Sequence, residues 1–158
     1  MGGGEGWTCW TLIWLGHQGP IRLLKGGISL WKDLNFPLVK SDNTRSVRPV
    51  SYEFQIRSEV KIGTEDIKRE EQRLVLIDTR SHLEWFGGHL PDATHIKWTR
   101  FFSGKHRIPI DSGQMRKLLK ENDIDISRPV VYYCEGGYQV CICMDRSSAF
   151  RFACCTQL

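Results

Sequence analysis

The sequence predicts an α/β domain built on a largely parallel sheet flanked by helices. Two apolar runs of strand length, Leu74-Val-Leu-Ile-Asp78 and Pro129-Val-Val-Tyr-Tyr-Cys134, read as strands buried on both faces, because neither alternates with polar residues. Between them lie segments with helical spacing and capping residues. That alternation is the pattern of parallel strands joined by crossovers. A length of 158 residues suits one domain of ordinary size.

From the amino end, residues 7–16 read as a short buried helix with Gly16 as its C-cap. Ile21-Arg-Leu-Leu24 reads as a short strand, broken by Gly26-Gly27. Apolar residues at Ile28, Leu30, Trp31 and Leu34 have helical spacing, and Pro37 stops that helix. Residues 39–50 are polar and form the best linker. Tyr52–Val60 alternates weakly and reads as extended, and Thr64 caps a charged helix over 65–72. After the first strong strand, Ser81 and Glu84 have capping-box spacing. His95–Trp98 is a weaker strand. Asp111 or Ser112 caps a helix to Glu121, with Met115, Leu118 and Leu119 on one face. Gly136-Gly137 turns the chain after the second strong strand.

Composition narrows the function. With 41% hydrophobic and 25% charged residues the chain is globular, and no run of about 18 apolar residues marks a membrane span. The amino terminus lacks the basic and apolar regions of a secretory signal, so a cytoplasmic location is the expectation, with mitochondria as the other compartment. A net charge of +4, with both signs interleaved, disfavours a nucleic-acid partner while suiting anionic small molecules. The six cysteines show no framework spacing and no paired C-x-x-C set, so neither disulfides nor a metal site is expected.

Cys134 is the chemical candidate. It ends a buried strand, where open parallel sheets bind ligands, and a glycine-rich turn follows. Backbone N–H groups of such a turn converge into an anion-binding nest, which stabilises a thiolate and lowers the thiol pKa. The local pattern fits an inert buried cysteine equally well.

Three ordered motifs extend this reading. Leu76-Ile-Asp78-Thr-Arg80, Gly88-His89-Leu-Pro91-Asp-Ala93 and Val131-Tyr-Tyr-Cys134-Glu-Gly-Gly137 resemble the rhodanese family in order and spacing. In that family a strand ends in D-x-R, a G-H-[IL]-P-x-A turn follows, and a later strand ends in the nucleophilic cysteine. Arg57–Gly63 and His95–Phe102 resemble the second domain of tandem thiosulfate or 3-mercaptopyruvate sulfurtransferases. Trp10–His17, Ile21–Gly27 and Trp31 resemble the end of a first such domain. The resemblance thus divides the chain into residues 1–38 as a first-domain remnant, 39–50 as linker and 51–158 as a truncated second domain. A tail followed by a head carries about one full set of strands. If the tail fills the sheet position of the missing second-domain tail, the strand order is permuted.

The resemblance implies transfer of a sulfane sulfur. Cys134 attacks a small anionic donor, thiosulfate or 3-mercaptopyruvate, and its persulfide passes the sulfur to a thiol or cyanide. No cofactor or metal is implied. The loop residues Glu135, Gly136, Gly137, Tyr138 and Gln139, with Arg146, would hold the donor or persulfide. Asp78, Arg80 and His89 read as structural support rather than catalytic groups. Trp98 and Phe101 read as core or pocket wall, and Lys97 and Arg100 fit either an anion-facing or a solvated role.

The catalytic loop departs from the family form C-x-x-G-x-R. Gln139 stands where the arginine belongs, and Arg146-Ser-Ser-Ala-Phe-Arg-Phe-Ala153 resembles the continuation, displaced by about seven residues. Tyr138–Asp145 therefore reads as an insertion and Cys154–Leu158 as off-pattern. A longer loop is less preorganised, so the alternatives are a rhodanese-like binding module without turnover and an inactive truncated product. A cysteine phosphatase is disfavoured, since Val140 occupies the place where that chemistry wants an arginine.

Overall fold

A computed structural model describes residues 4–40 and 48–135. Its centre is a three-stranded parallel sheet in the order β2-β1-β5. Strand β1 is Val75–Asp78, β2 is Thr94–His95 and β5 is Val130–Tyr133. Both strong apolar runs form strands as predicted. They lie side by side in register, from Val75 opposite Val130 to Asp78 opposite Tyr133. A two-stranded antiparallel hairpin, β3 (Phe102–Ser103) and β4 (Ile108–Pro109), stands apart.

Apolar residues cover both faces of the sheet. On one face Ile77, Val130, Tyr132 and Cys134 pack against Ile96, Phe101, Leu118 and Leu119. On the other, Leu76, Val131 and Tyr133 pack against Ile67 and Leu90. Side chains of a strand alternate between faces, so each strand feeds both layers. This explains why β5 shows no polar position: all four of its residues are buried. Helix α5 (Ser112–Glu121) seals the first face. Asp111 is its N-cap, in a capping box closed by Gln114. Helix α4 (His82–Gly87) carries the expected box, with Ser81 and Glu84 bonded to each other's backbone N–H.

Several expectations are corrected. Ile21–Leu24 forms no strand; Leu23 and Leu24 are 42% and 61% exposed, and Gly27 N–H donates to the Leu24 carbonyl in a turn. The tail therefore does not enter the sheet, and the permuted strand order does not form among the described residues. His95–Trp98 is not a strand throughout: β2 stops at His95, and Trp98–Phe101 is a 3-10 turn. Thr64 is the first residue of helix α3 (Thr64–Glu70) rather than its cap. The Asp66 carboxylate accepts instead from the Gly63 N–H, at 3.3 Å. Residues 71–73 tighten into a 3-10 turn. Tyr52–Val60, expected to be extended, forms no strand: it is irregular up to a 3-10 turn at Ser58–Val60. The Gly136-Gly137 turn and the insertion 138–145 lie outside the described residues.

Residues 4–40 dock onto the domain from outside. Helix α1 (Gly4–Trp14) stacks Trp7, Trp10 and Trp14 in a ladder, with centroids 5.3 and 5.8 Å apart. It is half-buried rather than buried, Trp10 alone among the three being below a tenth exposed, at 5%. Helix α2 (Gly27–Asp33) matches the 28–34 spacing and meets the hairpin through Asp33. The Asp33 carboxylate takes Lys105 Nζ at 2.5 Å and His106 Nε2 at 3.2 Å. At the end of α1, Leu15 and Trp14 carbonyls accept the N–H groups of Gln55 and Arg57, at 3.1 and 2.8 Å.

Gly16 makes that last contact possible. Its φ of 71° is the left-handed value of a helix C-cap. A Cβ there would sit 2.3 Å from the Gln55 carbonyl oxygen. Gly16→Ala is therefore expected to destabilise the fold by about 2 kcal/mol from backbone strain alone, with the clash adding to it. Denaturant melts followed by tryptophan fluorescence measure this; an unchanged midpoint would show that the α1–Gln55 contact does not form.

Candidate active site

The carboxyl ends of β1 and β5 lie together, and three consecutive residues of β1 and its following loop anchor them. Thr79 is fully buried. Its N–H and its hydroxyl both donate to the Tyr133 carbonyl, at 3.0 and 2.9 Å. Its own carbonyl accepts the Trp98 N–H at 2.9 Å. The peptide joining Tyr133 to Cys134 is thus fixed from the β1 side. Cys134 follows, 6% exposed, in the apolar layer with Ile77, Ile96, Phe101 and Tyr132.

Asp78 and Arg80 work on the opposite face. The Asp78 carboxylate is fully buried. It receives Arg80 Nε at 3.1 and 3.0 Å, Arg80 Nη2 at 2.6 Å, and the Arg80 N–H at 2.9 Å. Burial by itself would raise the Asp78 pKa. The hydrogen bonds from the Arg80 side chain and backbone, from the Tyr133 hydroxyl, and the Arg80 charge together hold it below the ordinary carboxylate value. Arg80 is raised in turn, first by its bond to Asp78.

This pair carries the G-H-L-P turn. Arg80 Nη2 donates to the Gly88 carbonyl at 2.7 Å, and its guanidinium lies 5.6 Å over the Tyr133 ring. The Tyr133 hydroxyl accepts the Leu90 N–H at 3.1 Å. Burial, ahead of the neighbouring Asp78 charge, pushes the Tyr133 hydroxyl up to about 12, so it stays protonated and donates to Asp78. His89 sits between these anchored residues. Its ring stacks on Trp85 at 3.4 Å, and its Nδ1 meets the Trp85 carbonyl at 3.1 Å. His95 flanks the other side of that stack, 5.0 Å from Trp85, with Nε2 3.0 Å from the Arg80 carbonyl.

The structure thus brings together Cys134, Asp78, Arg80 and His89 at one end of the sheet, but on different faces. His89 reaches no reacting group among the described residues. Glu135 is exposed; Gly136, Gly137, Tyr138, Gln139 and Arg146 lie outside the described residues. Phe101 is core, 2% exposed and edge-on to Tyr132. Arg107 lies 5.3 Å over Trp98, and Arg100 pairs weakly with Glu121 at 3.8 Å. Tyr133, Thr79 and His95 were not singled out from the sequence. Pairing the two apolar strands in parallel would have found Tyr133, since that register puts it opposite Asp78. A cleft beside Lys68, Arg69, Gln72 and Arg73 lies at the amino end of β1, away from Cys134. Among the described residues no group of three or more His, Cys, Asp or Glu could hold a metal ion, and no helix is long and apolar enough to cross a membrane.

The sequence profile of the rhodanese-like domain matches residues 64–150, more than half of the chain, and spans both strong strands, the G-H-L-P turn and Cys134. The chain belongs to the rhodanese-like domain family. Human 3-mercaptopyruvate sulfurtransferase is 29% identical over 147 residues, covering 84% of this chain and 48% of that protein. The mouse protein of the same name is 26% identical over the same span. Among solved structures, the 3-mercaptopyruvate sulfotransferase SseA of Escherichia coli superposes with a TM-score of 0.75 at 15% identity, over 89% of this chain and 55% of that one. The anaerobic ergothioneine biosynthesis enzyme of Chlorobium limicola gives 0.74 at 17% identity, over 92% and 41%. These structures share the rhodanese fold with the chain, which spans about half the length of the curated relatives it matches.

Removing one partner of the Asp78–Arg80 pair leaves a buried charge uncompensated. Arg80→Ala is expected to cost about 3 kcal/mol, and Arg80→Lys to recover only part, since an ammonium cannot make the forked contact. The depressed Asp78 pKa adds stability that is full above about pH 4, the unfolded value, and lost as the pH falls through the folded one. Asp78→Asn should flatten this acid limb. Urea melts at a series of pH values test both outcomes, and an acid limb unchanged in Asp78→Asn would remove Asp78 from the account.

Proposed function

We propose that the chain moves a sulfane sulfur through a persulfide on Cys134. The thiolate attacks the outer sulfur of a donor, and the bond from that sulfur to the rest of the donor breaks. Thiosulfate would leave as sulfite; 3-mercaptopyruvate would leave as pyruvate after taking a proton. The Cys134 persulfide then yields its outer sulfur to cyanide or a thiol, and the thiolate returns. The observation that carries this reading is the place of Cys134: a buried strand tip, inside the segment that matches the family, ahead of a glycine-rich loop.

The domain arrangement is part of the same proposal. Residues 1–38 are read as the close of a first rhodanese-like unit, 39–50 as linker and 51–158 as a truncated second unit. This reading rests on the likeness of Trp10–His17 and Ile21–Gly27 to the end of such a unit; the match to the human sulfurtransferase takes in 84% of the chain and so extends beyond residues 64–150 without placing a boundary.

One comparison tests the chemistry. The chain and Cys134→Ser are treated with thiosulfate or 3-mercaptopyruvate, assayed with cyanide or a thiol, and the Cys134 peptide is weighed by mass spectrometry. The expected result is one added sulfur atom on that peptide and turnover that Cys134→Ser abolishes. Equal turnover in both proteins would remove Cys134 from the mechanism. No turnover in a folded chain would favour the binding-module reading, for which the displaced arginine in the loop speaks. Cutting residues 138–145 down to one residue then separates a spoiled loop, which regains turnover, from a site that has none to regain.

A further inference from the structure

Strand pairing stops one residue short of the thiol. The register of β1 with β5 ends where Asp78 faces Tyr133, and β5 itself ends at Tyr133. The peptide that leads from Tyr133 into Cys134 is held at two points by Thr79. The Thr79 N–H donates to the Tyr133 carbonyl at 3.0 Å, and the Thr79 hydroxyl donates to the same oxygen at 2.9 Å. Any residue but proline could make the first bond from this place in the chain. The second belongs to the side chain.

Thr79 is itself firmly held. It is fully buried. The Asp78 carbonyl before it takes the Ile96 N–H, and its own carbonyl takes the Trp98 N–H, both at 2.9 Å. The branch at its Cβ restricts rotation of the side chain, which keeps the hydroxyl in place. A line of bonds thus runs from Trp98 through Thr79 to the Tyr133 carbonyl. That carbonyl and the nitrogen of Cys134 share one rigid plane. A donor prefers to lie near the plane of the C=O group, so two donors on one oxygen define a plane that a single donor leaves free to tilt. The direction of the Cys134 side chain starts from this plane.

We propose that Thr79 is a positioning residue for Cys134: its hydroxyl, acting through the Tyr133 carbonyl, sets the direction in which the sulfur is presented. Its effect on sulfur transfer rests on the function proposed above. In that chemistry Sγ attacks the outer sulfur of the donor and later leaves from its own persulfide, so one direction serves both halves. A misplacement of about 1 Å can cost a rate about a hundredfold. Loosening the peptide while the strands stay paired displaces Sγ by less, and the expected loss is about tenfold. A buried hydroxyl that merely satisfied itself on the nearest carbonyl would change stability on removal and leave the rate alone.

Thr79→Val keeps the shape and the N–H bond and deletes the hydroxyl, whereas Thr79→Ser keeps the hydroxyl. Thr79→Ala is a second deletion, for the case that the added methyl of valine crowds the Tyr133 carbonyl. Melting curves first establish that each chain is folded. Tyr133-Cys134 is the only Tyr-Cys step in the sequence. Isotopic labelling of the tyrosine carbonyl carbon and the cysteine nitrogen therefore shows this peptide as one NMR signal. Sulfur uptake by the Cys134 peptide is timed by mass spectrometry over a series of thiosulfate or 3-mercaptopyruvate concentrations. In Thr79→Val the signal should shift and broaden and the maximal rate should fall about tenfold, with the half-saturating donor concentration changed by less than about twofold. Thr79→Ser should restore the signal and most of the rate. A signal unmoved in Thr79→Val, or uptake there at the native rate, overturns the proposal, as does a Thr79→Ser chain that behaves like Thr79→Val. If no folded chain takes up sulfur, the sulfur-transfer reading fails by itself. The signal then decides the positioning, which stands only where Thr79→Val disturbs it and Thr79→Ser restores it.

Discussion

A carboxylate that is fully buried must be compensated at once or it will take up a proton and lose its hold on its neighbours. Asp78 is such a group, and the carboxyl end of the sheet is organised around its compensation. Arg80 supplies the charge and the fork, Tyr133 supplies a hydroxyl proton, and both partners carry the field of Asp78 outward to the next layer. Arg80 reaches the Gly88 carbonyl and Tyr133 reaches the Leu90 N–H, so a single charge pins the turn between α4 and β2. The D-x-R spacing has a direct physical meaning. Arg80 lies two residues on from the carboxylate, where its own N–H and its side chain can both return to Asp78.

The alternation of the strands keeps this charged clamp apart from the thiol. Tyr133 turns toward the layer of Leu76 and Ile67, while Cys134 turns toward Ile77 and Phe101. Thr79 connects the two without joining either layer's chemistry, holding the peptide before Cys134 through two bonds to one carbonyl. Support for Cys134 thus arrives through backbone, and the side chains of Asp78, Arg80 and His89 lie at one remove from it.

What was legible in the sequence follows from this division. Runs such as 74–78 and 129–134 declare themselves because burial on both faces excludes polar residues, and the Ser81/Glu84 box declares itself by its spacing, whereas at the later helix the sequence leaves Asp111 and Ser112 both open as the cap and only the structure shows the box that Asp111 forms with Gln114. The tail was misread for the converse reason. Ile21–Leu24 has the composition of a strand, but strand formation needs a neighbour, and composition carries no record of whether the neighbour is present. Tyr133 was missed because a tyrosine in an apolar run looks like core, and only the register against Asp78 reveals its hydroxyl as a working group. The contact of His95 with Trp85 is written in no sequence pattern; the turn between α4 and β2 brings the two rings together.

Stability and catalysis respond on very different scales to the departure in the loop. The family form places six residues from the cysteine to the arginine, and here the matching arginine, Arg146, comes seven later than Gln139. Lengthening a closed loop from about six to about thirteen residues costs only about 0.7 kcal/mol of closure entropy. Sheet pairing, the Thr79 bonds and the Asp78–Arg80 clamp all lie upstream of Gly136, so the fold absorbs that sum easily. Transition-state stabilisation is far less forgiving: losing one aligned donor to a developing anion lowers a rate by about a hundredfold to a thousandfold. On the proposed reading the scaffold up to Cys134 can therefore be intact while turnover is small, and the number of residues between Cys134 and Arg146, rather than the sheet, is the quantity on which the proposed sulfur transfer turns.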